Sequence, residues 1–286
     1  MMSHTLEKAR HLDSTQPTLE EVIAFLQGGT LDEFGEVLMQ MPSEQLPNLS
    51  RVLPPMASED IQREWTGNSG KTLLGQSVSF ISAITNEYER LSRRAIRDAR
   101  VLDFGCGWGR LLRLMLYFVP PSRIFGCDAW DTSLKMIRDA RIPVRLEKSD
   151  ALPQTLPFGD TKMDLIYAFS IFTHLSEAGT RACLGAFRRS LAPEGICVIT
   201  IRPPEYWEMT KSSRPEAATA ELLAAHHDAG FAYSPSETDS LYGDTSISPA
   251  YLRREFPEWK ILKMGHVLID PLQIYVYLRP TGRSLC

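Results

Sequence analysis

Four residues spaced two apart, Asp103, Gly105, Gly107 and Gly109, close a short apolar run that begins at Val101. The run reads as a buried strand and the glycines as a tight turn, and Leu111, Leu112, Leu114 and Met115 recur at helical spacing beyond it. Such a bend lets a ligand lie against the main chain, because glycine has no obstructing side chain and tolerates unusual dihedrals. The free N–H groups of the following helix point at whatever binds there. A dinucleotide-binding fingerprint needs its third glycine at position 110, where this chain has Arg110. A second stretch, Trp65 to Lys71, places glycines and hydroxyls just before a long helix, which suits an anionic group. Lys71 does not make it a phosphate-binding P-loop, since the required frame is absent.

The elements that position these residues alternate regularly from about residue 99. Strands are expected at Val101–Phe104, Ile124–Cys127, Val144–Glu147, Leu165–Phe169 and Ile196–Ile201, with helices between them near 110–117, 132–140 and 182–191. That alternation predicts an α/β fold, a doubly wound and mostly parallel sheet. Ile261–Ile269 and Leu272–Leu278 read as a closing hairpin turned at Asp270-Pro271. Between the fifth and sixth strands, residues 203–247 form an insertion with a helix over Ala217–Ala229 and turn-rich segments around Tyr233-Ser234-Pro235 and Tyr242-Gly243-Asp244-Thr245. At the carboxyl edge of a parallel sheet it is expected to serve as a substrate lid. Upstream, Thr18-Leu19-Glu20-Glu21 and Thr30-Leu31-Asp32-Glu33 have the form of capping boxes. Residues 1–64 are therefore expected as a helical N-terminal cap and 65–286 as the main domain.

The pattern D-x-G-x-G-x-G at the end of a first strand resembles motif I of the class I S-adenosylmethionine (SAM)-dependent methyltransferases, and the resemblance extends over about residues 65 to 280. It implies a seven-stranded sheet of order 3-2-1-4-5-7-6 with an antiparallel last strand, and SAM as cofactor. It also implies that Gly105, Gly107 and Gly109 line the methionine part, with Asp103 near its amino end and Cys106 in the same turn. Asp128 would then bind both ribose hydroxyls, with Ala129 beside it. Asp150 would take the adenine amino proton while Ala151 offers a backbone N–H, and Ser170 would stand at the end of the fourth strand. The stretch Tyr167 to Leu175 is similar to the hydrophobic run ending in His-Leu of family members that act on small molecules.

The sulfonium is already electrophilic, so the enzyme's task is placement of the acceptor. A hydroxyl acceptor is helped by a general base, and His174 is the first candidate, with His227 in the insertion the second. Tyr206, Trp207, Tyr242 and Asp244 are candidate acceptor contacts. The expected activity is methyl transfer to a small-molecule or sugar acceptor at oxygen; the rivals are N- or C-methylation, an NAD-dependent oxidoreductase and a non-catalytic SAM-binding protein. No metal is expected, because adjacent His226 and His227 point apart on a helix.

The 286 residues are 43% hydrophobic and 23% charged, an ordinary globular composition. A net charge of −4 argues against a nucleic-acid partner. The first residues lack a signal-peptide pattern, and no apolar stretch approaches the roughly 20 residues that cross a bilayer. Five cysteines without metal spacing suggest reduced thiols and a cytoplasmic protein. The N-terminal helices or the lid are candidate surfaces for a homodimer.

Overall fold

In a computed structural model of the chain, residues 4–237 and 239–282 are described. Met1 to Ser3 of the leader reading and Cys286 of the cysteine reading lie outside them. The chain divides into two compact units, residues 1–99 with 106–147, and residues 100–105 with 148–286.

The first unit opens with helices α1 (His4–Asp13), α2 (Leu19–Leu26), α3 (Leu31–Met39), α4 (Leu49–Val52), α5 (Glu59–Thr66) and α6 (Gly70–Ser92). Both capping boxes form. The Thr18 and Thr30 side chains accept from the backbone N–H groups of Glu21 and Glu33, whose carboxylates accept the Thr18 and Thr30 N–H at 2.7 and 2.8 Å. Helix α6 buries Leu73, Val78, Phe80, Ile81, Ile84 and Tyr88, the 3.6-residue stripe of an inward face. Helix α3 packs on α6 and on α7 (Arg110–Met115). Tyr117 Oη donates to the Gly29 carbonyl at 2.7 Å, and the buried Arg113 donates to the carbonyls of Trp108 and Pro55. The N-terminal helices are thus bonded to the segment that follows the glycine turn.

The sheet strands are β1 (Val101–Phe104), β2 (Ile124–Asp128), β3 (Arg145–Lys148), β4 (Met163–Ala168) and β5 (Leu191–Ile201). Helix α8 (Asp131–Asp139) follows β2, and α9 (Glu177–Ser190) lies between β4 and β5. Beyond β5 come α10 (Glu205–Met209), α11 (Glu216–Ala229), β6 (Phe231–Pro235), β7 (Gly243–Ile247), α12 (Pro249–Glu255), β8 (Trp259–Val267) and β9 (Asp270–Pro280). The sheet order is β3-β2-β1-β4-β5-β9-β8, while β6 and β7 pair separately. Without that separate pair the sheet reads 3-2-1-4-5-7-6, as the resemblance implies. Strands β1, β4 and β5 run parallel, and β9 is antiparallel to β5 and to β8. Strands β1, β2 and β4 are buried throughout, as strands covered on both faces must be.

The structure departs from the sequence reading at two places. Strand β5 begins at Leu191, earlier than expected, with Pro193 and Gly195 inside it and a register shift against β4 between Met163 and Leu165. The segments around Tyr233 and Tyr242 form the β6–β7 hairpin, not isolated turns. Phe231 pairs with Ile247 and Tyr233 with Thr245, and a Cβ at Gly243 would lie 2.1 Å from the Ser234 carbonyl. The glycine that reads as a turn signal is needed for close strand approach. Cys106, Cys127, Cys183 and Cys197 are buried, and no described helix is long and apolar enough to cross a membrane.

Candidate functional site

The residues singled out in the sequence divide between the two units, and each set is built differently. In the first unit, β2 ends in Asp128, whose carboxylate turns back to the glycine bend. Gly107 N donates to Asp128 Oδ2 and Trp130 N to Oδ1, both at 2.9 Å. Cys106 N donates to the Cys127 carbonyl and Gly109 N to that of Cys106, which fixes the turn against β2. Asp128 is 9% exposed, and burial raises its pKa against the opposing pull of these N–H bonds. The Ser133 hydroxyl and the Ala129 N–H also bear on this carboxylate. A carboxylate held in this way presents acceptor oxygens suited to hydroxyl donors.

Gly107 has φ +54, and a Cβ there would meet only the Trp65 ring, at 3.8 Å. The main chain at this point is therefore lined by an aromatic ring and not by a side chain of its own. Trp65 in turn meets Trp130 edge to face at 6.0 Å, and Trp130 is 49% exposed. This pair was not among the expected site residues, although the stretch Trp65 to Lys71 was singled out; Trp65 lies in the last turn of α5. Gly109, in the left-handed region with φ +81, caps α7. Ala129 is half-buried beside Asp128.

In the second unit, Asp103 is buried within β1 in register with Tyr167 of β4, and Gly105 follows at φ +71. A Cβ on Gly105 would meet the Ile171 side-chain end, which would have to move, and the positive φ itself favours glycine. Asp150 and Ala151 are exposed just beyond β3. Ser170, at the carboxyl end of β4, holds φ +58, a left-handed conformation that a side chain seldom adopts. Its N–H donates to Thr200 Oγ1, and its hydroxyl lies 3.1 Å from Thr173 Oγ1 and from Gln273 Nε2. Strain concentrated at a strand's carboxyl end is characteristic of functional sites.

Strand β7 is laid along the segment that follows β4. Gly243 N donates to the His174 carbonyl at 2.8 Å, and Thr245 N to that of Thr173 at 2.9 Å. These bonds bring His174, Tyr206, Tyr242 and Asp244 together. The His174 ring stacks on Tyr242 with centroids 4.9 Å apart. Its Nδ1 bonds the Gly243 carbonyl at 2.7 Å, so Nδ1 carries the proton, and Nε2 accepts from Arg202 Nη2 at 3.2 Å. Burial and the Arg202 charge lower its pKa to about 4. The expected general base is therefore an uncharged ring whose one lone pair is already engaged.

Arg202 Nη1 also donates to Asp244 Oδ1 at 2.9 Å, and Arg214 Nη2 to Asp244 Oδ2 at 3.3 Å. Neither arginine was singled out in the sequence. They meet Asp244 across 42 and 30 positions, which no local pattern announces.

Two expected site residues stand apart from this cluster's accessible surface. Trp207 has no exposed surface for an acceptor to touch, and its Nε1 donates to Ser246 Oγ at 2.7 Å under the Arg214 guanidinium. His227 projects into solvent with its side chain 89% exposed and bonds only its neighbour Asp228, since it lies on the outer face of α11. Its neighbour His226 is the inward one and bonds Ser246 Oγ.

Residues 101–195 match the family described as Methyltransferase domain. An uncharacterized protein of Rickettsia prowazekii (strain Madrid E) is 29% identical over 124 residues, which is 42% of this chain, and the match spans about half (49%) of that relative's length. Among solved structures, the PH0226 protein of Pyrococcus horikoshii OT3 superposes with a TM-score of 0.51 at 15% identity, covering 71% of this chain and 90% of its own. A SAM-dependent methyltransferase of Anabaena variabilis gives 0.48 at 16% identity over 80% of this chain and 97% of its own. Residues 101–195 thus match a methyltransferase domain, and the sheet they contribute to has the order that the class I SAM-dependent methyltransferase resemblance implies.

Proposed function

We propose that this methyltransferase acts on a small-molecule acceptor, at oxygen, with the cofactor held by the motif residues and the acceptor by the cluster around Asp244. The cofactor brings a methyl group on a positively charged sulfur, so the chain has only to bind and orient. On this reading the main chain of Gly105, Cys106, Gly107 and Gly109 takes the methionine part, with Asp103 toward its amino end. Asp128 accepts the two ribose hydroxyls, with Ala129 and Trp130 beside it. Asp150 and Ala151 take the adenine edge. Ser170 holds the turn beyond β4, and His174 is a positioning residue that fixes Arg202 and not the base that removes a proton. Residues 1–64 are read as a cap on 65–286, and residues 203–247 as the segment that covers the acceptor.

The observation that carries the cofactor assignment is the Asp128 carboxylate at the end of β2, tethered to the glycine bend by Gly107 N and to the following turn by Trp130 N. Hydrogen bonds to a charged group contribute about 1.5–3 kcal/mol each. Asp128→Ala is therefore expected to weaken S-adenosylhomocysteine binding by roughly a hundredfold or more. Calorimetric titration of the full chain measures this, and an unchanged affinity removes Asp128 from the site.

A further inference from the structure

Beyond β5, the cluster around Asp244 holds more positive charge than its one carboxylate neutralises. Asp244 lies between Arg202 and Arg214, with both guanidiniums within hydrogen-bond reach of it, at 2.9 and 3.3 Å. Both arginines stack on aromatic rings, Arg202 at 4.0 Å from the Tyr206 centroid and Arg214 at 4.8 Å from that of Trp207. Their side chains are only 12% and 13% exposed, so their charge is poorly screened. His174 is uncharged at neutral pH, and burial pushes the Tyr206 hydroxyl up to about 12, so it too stays neutral. Of the acids of α10, Glu208 lies 3.7 Å from Lys211, and Glu205 is exposed to solvent. Two cations against one carboxylate leave a single positive charge.

That charge has a direction. Arg214 Nη1 is buried with no hydrogen-bond partner among the described residues. A buried donor without a partner is costly, and a guanidinium nitrogen is best satisfied by a carboxylate oxygen. The same cluster has no group ready to take a proton from an acceptor. The His174 lone pair is engaged by Arg202, and both Asp244 oxygens accept from guanidinium groups.

We infer that the methyl acceptor is a small molecule bearing a carboxylate, which docks on the exposed edge of the Arg202 and Arg214 guanidiniums beside Asp244. This rests on the methyltransferase reading above. One negative charge balances the site, whereas a phosphate dianion would exceed it. A carboxylate also arrives already deprotonated. Its oxygen forms the new C–O bond as the S–C bond breaks, the bonding pair stays on sulfur, and no base is needed.

The test is calorimetric titration of the full chain, with S-adenosylhomocysteine present, by benzoate and by its uncharged isostere benzamide. Benzoate is expected to bind at least tenfold more tightly than benzamide. Arg214→Gln is expected to abolish that preference, and Arg214→Lys, which keeps charge but loses the planar fork, to retain part of it. Equal affinities for the two probes in the wild-type chain, or an unaltered preference in folded Arg214→Gln, overturn the inference. The cofactor reading fails separately: a chain that prefers benzoate but does not bind S-adenosylhomocysteine keeps the carboxylate site and loses the methyltransferase assignment.

Discussion

Burial acts on Asp128 and His174 in opposite chemical senses, raising the pKa of the acid and lowering that of the ring to about 4. Each shift favours the neutral form, as desolvation requires. For His174 the consequence for stability has a definite sign. The unfolded chain takes up this proton near pH 6.5, whereas the folded chain resists until about pH 4. Its contribution is therefore fully present above pH 6.5 and is lost as pH falls through that window. Thermal unfolding between pH 7 and 4.5 is expected to show the midpoint falling, and His174→Gln to flatten the fall. A slope unaltered by that substitution assigns the acid sensitivity to other groups. The glycine bend and Asp128 were legible because they lie at the ends of strands that announce themselves as apolar runs. The neutral state of His174 was not, because it is imposed by Arg202 and the Gly243 carbonyl, which only the folded chain brings near.

At the scale of elements, the β6–β7 hairpin and α10 are fastened by one hydroxyl. Trp207 Nε1 donates to Ser246 Oγ, and that hydroxyl lies 2.7 Å from His226 Nδ1 on α11. Burial lowers the His226 pKa, so its ring is neutral at pH 7 where it meets the hydroxyl. Ser246→Ala leaves an indole N–H and a ring nitrogen buried without partners, which costs about 1–3 kcal/mol. Urea unfolding followed by circular dichroism reads this loss, and an unchanged midpoint means that water replaces the hydroxyl. The insertion was legible as a helix flanked by turns, because α11 has Pro215 before it and Gly230 after it. The hairpin was obscured because β6 and β7 are short, polar and rich in turn residues. Their pairing is fixed by contacts with the chain after β4 and not by their own alternation.

At the scale of the whole molecule, the sheet order followed from the alternation of strands and helices and from the family likeness of the glycine motif. The division into two units did not, because the chain passes between them at 99/100, 105/106 and 147/148, the second within motif I and the third within β3. No composition shift marks such crossings. The cysteines extend this to the chain's opening behaviour. Burial lifts the Cys183 thiol to about 12 and Cys197 well beyond its ordinary value, and Cys106 and Cys127 are equally enclosed. Alkylation needs an accessible thiolate, so in a Cys286→Ser background each of the four reacts only when its surroundings open. With a stability of at least about 5 kcal/mol, Cys197 is expected to be modified by iodoacetamide at least roughly a thousandfold more slowly than in urea. Mass spectrometry of the timed reaction checks this, and comparable rates refute it. Four native thiols, silent while the fold is closed, thus make the polypeptide its own chemical stopwatch, one that records unaided which half of the chain lets go first.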